Sequence, residues 1–231
     1  MSKEYYLFIP TQEEFHSVIA HLEKLSKKNK TRFQKSILFA KMIAFSGLRL
    51  AELFHFDFQK HILRDVGKYG SIKLSPVRCS CSHCERRKEN YWYEYERKDN
   101  TTRKRYKKRL AGFWTPKSDE SMKSVPLNKP MYDLIQGLRL EGYNKVQDIV
   151  GSYDTLAYQI TKINKFLPEN YPKRKKLTAH QLRRYYISQA LDKYRDTTNV
   201  SRLARHRSPA VTKLYSRAIE GLGEDMTDED L

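Results

Sequence analysis

Leu203-Ala204-Arg205-His206-Arg207-Ser208-Pro209-Ala210-Val211-Thr212-Lys213-Leu214-Tyr215 is the stretch from which the rest of this chain is read. Ser208-Pro209 is a helix start, with serine as cap and proline in the first helical position, where its missing N–H does no harm. The helix predicted from Pro209 to about Ala218 carries Tyr215 two turns in, nine residues after His206. A phenol ionises near pH ~10, so a tyrosine is a weak nucleophile at neutral pH. It becomes an effective one where a neighbour accepts its proton and cations hold an anionic target in front of it. Thr178-Ala179-His180-Gln181-Leu182-Arg183-Arg184 offers both groups, because His180 and Arg183, three apart, share one face of a helix predicted over Thr178 to Lys193. A second arginine, Arg49, stands far upstream in Phe45-Ser46-Gly47-Leu48-Arg49-Leu50-Ala51-Glu52-Leu53. These residues together describe a device that attacks a phosphodiester with a phenolate.

The charge balance points to the same target. Lys and Arg number 45 against 27 Asp and Glu, a formal net charge of +18 on 231 residues. Such a surplus fits a polyanionic partner, and DNA or RNA leads, since neutralising phosphates releases counterions; the resemblance below narrows this to double-stranded DNA. Arginine is the side chain best shaped for a phosphoryl group, because its planar fork donates two parallel hydrogen bonds. Arg49 and Arg183 each stand beside apolar residues that pin them. The competing reading pairs each with a nearby acid, and Glu52, one turn beyond Arg49, is such a partner. The apolar run Ser36 to Phe45 is interrupted by Lys41 and too short to span a bilayer. The start, Met1-Ser2-Lys3-Glu4, leads into no signal-like apolar segment, so a cytoplasmic location is expected.

The elements follow from periodicity and punctuation. Thr11-Gln12-Glu13-Glu14 is a capping box, and Phe15, Val18, Ile19 and Leu22 follow at helical spacing. Lys27-Lys28-Asn29-Lys30 breaks this helix from a second, Thr31 to Phe45, which is apolar on more than one side and reads as a core helix. Leu48 to Phe56 reads as a short third helix. Gly70 to Leu74, Tyr91 to Tyr95, Ala111 to Trp114 and Ser124 to Leu127 have strand character. They predict a small antiparallel sheet interrupted by a basic insert over 78–109. Helices return at Asn128, with Pro130 in the first turn, then near Tyr153 to Phe166, Thr178 to Lys193 and Thr198 to Arg205. The whole is an α+β, mostly helical fold over 1–220, followed by an acidic tail over 221–231 that reads as a flexible or docking arm.

Three of these boxes resemble those of the tyrosine recombinases, the phage-type integrases. The Phe45 to Leu53 segment is similar to the family's first-arginine box, Thr178 to Arg184 to its His-x-x-Arg box, and Leu203 to Tyr215 to its terminal box with the same His-to-Tyr spacing. The resemblance runs from about Thr11 to Ala218. It implies that Tyr215 attacks the scissile phosphate and becomes joined to the DNA 3′ end. Arg49 and Arg183 hold the phosphate, His180 assists proton transfer from Tyr215, and His206 hydrogen-bonds the phosphate. The family also uses a lysine on a sheet turn before a Val-Pro-Leu strand. Thr115-Pro116-Lys117, ahead of Val125-Pro126-Leu127, matches that layout, so Lys117 is assigned to protonate the departing 5′ oxygen, with Lys123 in reserve. No metal or other cofactor is implied, since arginines clamp the charge and the phosphotyrosyl bond conserves the energy. The implied function is site-specific recombination, as in integration of a virus, plasmid or other mobile element, with self-association into dimers or tetramers on paired sites. A type IB topoisomerase-like enzyme, which usually has lysine where His180 stands, and a non-catalytic DNA-binding module are the alternatives.

The chain departs from the family pattern in places. A glycine usually precedes the terminal-box histidine, and here Arg205 stands there. Only 48 residues precede Arg49, which leaves no room for a separate DNA-clamping domain and predicts a catalytic fragment or a minimal member. Lys104, Arg105, Lys107, Lys108 and Arg109 in the insert, and Lys173, Arg174, Lys175 and Lys176 with Arg184 beside the His180 helix, are expected to grip DNA phosphates. Cys79-x-Cys81-x-His83-Cys84 is assigned no metal: four ligands within six residues rarely wrap one tetrahedral ion, and the sequence shows no second ligand pair. An outside histidine could complete such a site. The three cysteines form no disulfide framework.

Overall fold

Thr11 opens the first helix by a reciprocal cap. Its hydroxyl accepts the Glu14 N–H at 3.1 Å while the Glu14 carboxylate accepts the Thr11 N–H at 2.9 Å. Helix α1 (Gln12–Lys28) then turns Phe15, Val18, Ile19 and Leu22 inward. The fold is taken from a computed structural model that describes residues 9–64, 67–81, 84, 92–96, 102–106, 113–116, 119–172, 176–206, 209–210 and 212. Helix α2 (Lys30–Ser46) starts directly after the Asn29 break. Its apolar residues do not keep to one stripe, and Phe39, Ala40, Met42 and Ile43 are all fully buried. A helix apolar all round must be covered all round. It is: α1, α4 (Lys129–Leu140), α6 (Tyr153–Lys162) and α7 (Ala179–Tyr194) pack about it.

Between the short α3 (Leu50–Phe54) and α4 the described residues form three small antiparallel sheets. β1 (Ile62–Leu63), β2 (Ser71–Ile72) and β7 (Val125–Pro126) form one, with Ile72 opposite both Ile62 and Val125. β3 (Val77–Arg78) pairs with β6 (Phe113–Trp114). β4 (Trp92–Glu96) and β5 (Thr102–Tyr106) make a hairpin in the insert, with Glu94 opposite Lys104 and Tyr93 opposite Arg105. The expected single sheet is therefore split, and β1, β3 and β5 are additions to the sequence reading. Two-residue strands carry no alternation, and β5 is hidden in a basic run.

α4 begins as expected, Asn128 accepting the Met131 N–H at 3.0 Å with Pro130 in the first turn. A short α5 (Val146–Val150), which the sequence reading missed, supplies three buried aliphatic residues before α6. A 3-10 turn, Ile163–Lys165, completes the segment read as one helix to Phe166. α7 is capped by Thr178, and α8 (Thr197–Leu203) by Asp196, whose carboxylate accepts from Thr198 and Asn199. Ile187, Ala190, Leu191, Val200 and Ala204 join α7 to α8 in a second small core. Pro209, Ala210 and Thr212 are helical, while Tyr215 and the tail over 221–231 lie outside the described residues.

Candidate active site

The first arginine is placed by a tight turn. Gly47 ends α2 with φ of +61°, and its N–H bonds to the Ile43 carbonyl at 2.8 Å. Ser46 braces the turn, donating to the Met42 carbonyl at 2.6 Å and accepting the Leu48 N–H at 3.2 Å. Leu48 is fully buried, so Arg49 emerges at the N-terminus of α3. Its Nη1 lies 2.6 Å from Glu52 Oε1 and donates to Ser121 Oγ at 3.0 Å. Ser121 is buried in the 3-10 turn Asp119–Met122, just ahead of β7, so this bond ties the Arg49 turn to the sheet. The Arg49–Glu52 ion pair weighed from the sequence exists, yet the Arg49 side chain keeps 33% of its surface.

Arg183 is 4% exposed on α7. Its Nη1 donates to the Gly47 carbonyl and its Nη2 to the Ala204 carbonyl, so one guanidinium bridges the turn of the first box and that of the last. Arg205 follows with φ of +54°, the left-handed conformation in which glycine is at ease. The position where the resemblance expects a glycine thus takes a backbone shape that glycine favours, while holding an arginine. The Arg205 side chain is fully buried with Nη2 3.6 Å from Glu52 Oε2. Glu52 is therefore a hub. Burial pushes its carboxyl up, but Arg205, Arg49 and Arg183 together outweigh burial and hold it below the ordinary carboxylate range.

Both histidines stand in the field of these cations. His206 Nδ1 is 2.9 Å from the buried Thr212 Oγ1. Burial first, then Arg183, Arg49 and His180, push its imidazole down to about 4. His180, on the exposed side of the first turn of α7, is lowered by partial burial and then by Arg184, Arg183 and Arg49. Arg49, His180, Arg183 and His206 thus share one electrostatic neighbourhood, with both imidazoles neutral at pH 7. Glu52 as a three-way hub, Ser121 and Arg205 were not read from the sequence. Only the positive φ hidden behind Arg205 left a trace, as a departure from the glycine pattern.

Lys117 and Tyr215 lie outside the described residues, as do Lys107, Lys108, Arg109, Lys173, Arg174 and Lys175. Lys123, the reserve, is exposed and paired with Glu120 at 2.5 Å. Lys104 and Arg105 are in β5, Lys176 is exposed ahead of α7, and Arg184 is half-buried beside Arg183.

No protein-family model and no curated protein matches the sequence. Solved structures do match. The Tn1549 transposon integrase in complex with transposon right-end DNA superposes with a TM-score of 0.54 at 15% identity, over 97% of this chain and 63% of that one. The XerH site-specific recombinase in its pre-cleavage complex with difH substrate gives 0.52 at 15% identity, over 94% and 52%. The XerA recombinase gives 0.51 at 14% identity, over 95% and 64%. This chain has the tyrosine-recombinase fold. It spans between about half and two thirds of the length of these recombinases. The α+β expectation, and the resemblance carried by three short boxes, are borne out at the level of fold by agreement over nearly the whole chain. Among the described residues no helix is long and apolar enough to cross a membrane.

Two further features involve none of Arg49, His180, Arg183 and His206. A groove of about 1000 Å³ runs between the end of α2, β7, α7 and α8, lined by Phe45, Tyr185, Tyr186, Tyr194 and Leu203 among others. At the far end of α3 from Arg49, His55, Cys79, Cys81 and Cys84 bring four metal-ligating atoms within 4.8 Å of one another.

Proposed function

We propose that this protein is a site-specific DNA recombinase that breaks and rejoins DNA through a 3′-phosphotyrosyl intermediate. The observation that carries the reading is that Arg49, Arg183, His180 and His206, from distant parts of the chain, share one cation-rich neighbourhood. The DNA-bound integrase and XerH structures that share the fold support DNA as the partner.

The chemistry runs as follows. The Tyr215 oxygen attacks the scissile phosphorus as its proton passes to neutral His180. The arginines and His206 stabilise the charge that builds on the non-bridging oxygens. The bond from phosphorus to the 5′ oxygen breaks, and Lys117 protonates the leaving oxygen. One phosphodiester replaces another, so the step is near thermoneutral and reverses when a 5′ hydroxyl attacks the phosphotyrosine. Lys104, Arg105, Lys107, Lys108, Arg109, Lys173, Arg174, Lys175, Lys176 and Arg184 grip flanking phosphates. Two or four copies assemble on paired sites.

The test uses duplexes with a randomised core, nicked so that the cleaved fragment diffuses away. Wild-type protein should leave a denaturant-resistant protein–DNA adduct, and Tyr215→Phe should leave none while still binding DNA. An adduct of equal yield in the variant, or none with wild-type protein that binds the same DNA, would overturn the proposal.

A further inference from the structure

We propose that His55, Cys79, Cys81 and Cys84 bind one zinc ion, which fastens the root of the basic insert to the helix that begins at Arg49. The four residues come from separate places. His55 caps the C-terminus of α3, Cys79 follows β3, and Cys81 and Cys84 lie just beyond it. Their ligand atoms nevertheless all lie within 4.8 Å of one another.

The spacing fits the ion. Tetrahedral zinc with Zn–S near ~2.3 Å and Zn–N near ~2.0 Å sets sulfur and nitrogen about 3.5 Å apart. His55 Nε2 is 3.2 Å from Cys84 Sγ and 3.6 Å from Cys81 Sγ. The ring is already oriented for ligation. His55 Nδ1 is 2.7 Å from the Ala51 carbonyl, which makes Nδ1 the protonated nitrogen and leaves the Nε2 lone pair facing the thiols. Trp114 stacks on the ring at 4.7 Å between centroids with 5° between planes, which fixes its rotation.

The sulfurs have the outer partners that thiolates need. The Cys81 N–H donates to Cys79 Sγ at 3.4 Å, the Cys84 N–H to Cys81 Sγ at 3.4 Å, and Gln147 Nε2 to Cys79 Sγ at 3.3 Å. These donors put positive dipole ends on atoms that carry negative charge only when a metal is bound. A disulfide would use two of the three free cysteines and leave both the third and the aimed imidazole without purpose. Three soft thiolates with one imidazole select zinc over the hard cations magnesium and calcium. Four protein ligands close the coordination sphere, so the site is structural and catalyses nothing.

Sequence spacing alone could not identify this site, because it offered His83, within the cysteine run, or an outside histidine it could not name as the fourth ligand. The structure supplies His55 from α3 instead, and His83 lies outside the described residues. The zinc then sits against the main hydrophobic core, to which Cys79, Val77 and Trp114 belong. It holds β3, from which the insert departs, against the helix whose other end is Arg49. The assignment stands whether or not the protein recombines DNA.

The full chain, purified without an affinity tag under reducing conditions, should hold about one zinc per chain. X-ray absorption at the zinc edge should show three sulfurs and one nitrogen, and cobalt exchanged for zinc should give the intense visible bands of a tetrahedral thiolate site. His55→Ala should cut the metal to a trace or alter the cobalt spectrum, and His83→Ala should change neither. Absence of stoichiometric zinc after incubation with zinc salts, or an oxygen-rich shell, would overturn the proposal. So would loss of the site in His83→Ala with retention in His55→Ala. The absorption measurement needs only wild-type protein, so a variant that fails to fold does not protect the idea.

Discussion

Replacing Gly47 by alanine strikes the point where three parts of the pocket meet. The residue sits at φ of +61°, its carbonyl accepts from Arg183, and its N–H closes α2. A side chain in the left-handed region costs about 1–2 kcal/mol relative to glycine. A Cβ here would also fall on the Tyr186 ring, 2.8 Å from Cε1 and closer still to Cδ1. Tyr186 is on α7 three residues after Arg183, so the ring cannot yield without moving the helix that carries the arginine. Forcing one extra carbon into a packed contact adds about 1–3 kcal/mol. The sum, about 2–5 kcal/mol, corresponds to a fall in melting temperature of roughly 5–15 °C for a chain of this size. Gly142→Ala is the control, because Gly142 has φ of +87° but nothing within 4 Å of its Cβ position. It should show the backbone cost alone, a fall of roughly 2–6 °C. Calorimetry on both variants, with adduct yield on nicked DNA measured well below either melting point, separates the effects. Equal shifts for the two variants, or full adduct formation by Gly47→Ala, would refute the argument that Tyr186 and Arg183 dock on this turn.

Other outcomes follow from the same geometry. Glu52→Gln leaves the Arg205 guanidinium buried without its counter-charge and should destabilise the fold by about 3–5 kcal/mol in denaturant titration. Arg183→Lys retains the charge but cannot reach the Gly47 and Ala204 carbonyls together. It should cost about 1–3 kcal/mol and lower adduct yield far more than DNA affinity. Acid should destabilise the protein through His206. Its folded value near 4 lies below the ordinary 6.5, so the stability tied to its neutral form is present above pH 6.5 and is lost as pH falls toward 4. Solvent screening at this partly exposed ring reduces the effect, and His206→Gln should flatten melting temperature against pH across that window. Replacing Lys104 and Arg105 together by alanine should reduce the slope of log affinity against log salt by up to about 2, with no change in sequence preference.

Much of this fold was legible because its signals are local. Thr11 with Glu14 and Asn128 with Pro130 each announce a helix within four residues, and both caps are made as read, while Thr178, read as the first residue of its helix, is its cap. The apolar faces of α2 likewise show in the sequence that this helix is central. What escaped is of two physical kinds. Strands of two residues, such as β1 and β3, have no periodicity to detect and exist because a partner elsewhere pairs with them. Long-range polar contacts leave no sequence trace either. Nothing in the order of residues says that Ser121 meets Arg49, that Arg205 enters the left-handed region to reach Glu52, or that His55 faces three cysteines. The box pattern named the residues that surround the pocket; the carboxylate beneath them is a matter of three-dimensional charge balance.

That balance governs how the pocket would work. One carboxylate, Glu52, faces Arg49, Arg183 and Arg205, so positive charge remains in surplus before either histidine takes a proton. Burial lowers His180 and His206 most, and this surplus lowers them further. Exposure then divides labour among the arginines. Arg205, at 1%, serves Glu52; Arg183, at 4%, spans two backbone carbonyls; Arg49 keeps a third of its side-chain surface, so on the proposed function it is the one an arriving phosphate would meet first. A phosphodiester entering here brings the negative charge the pocket lacks and reduces the repulsion that holds the imidazoles deprotonated. Their proton affinity therefore rises only when the target is in place. A base that strengthens on arrival of its substrate suits a phenol nucleophile, which gains nothing from losing its proton to an empty site.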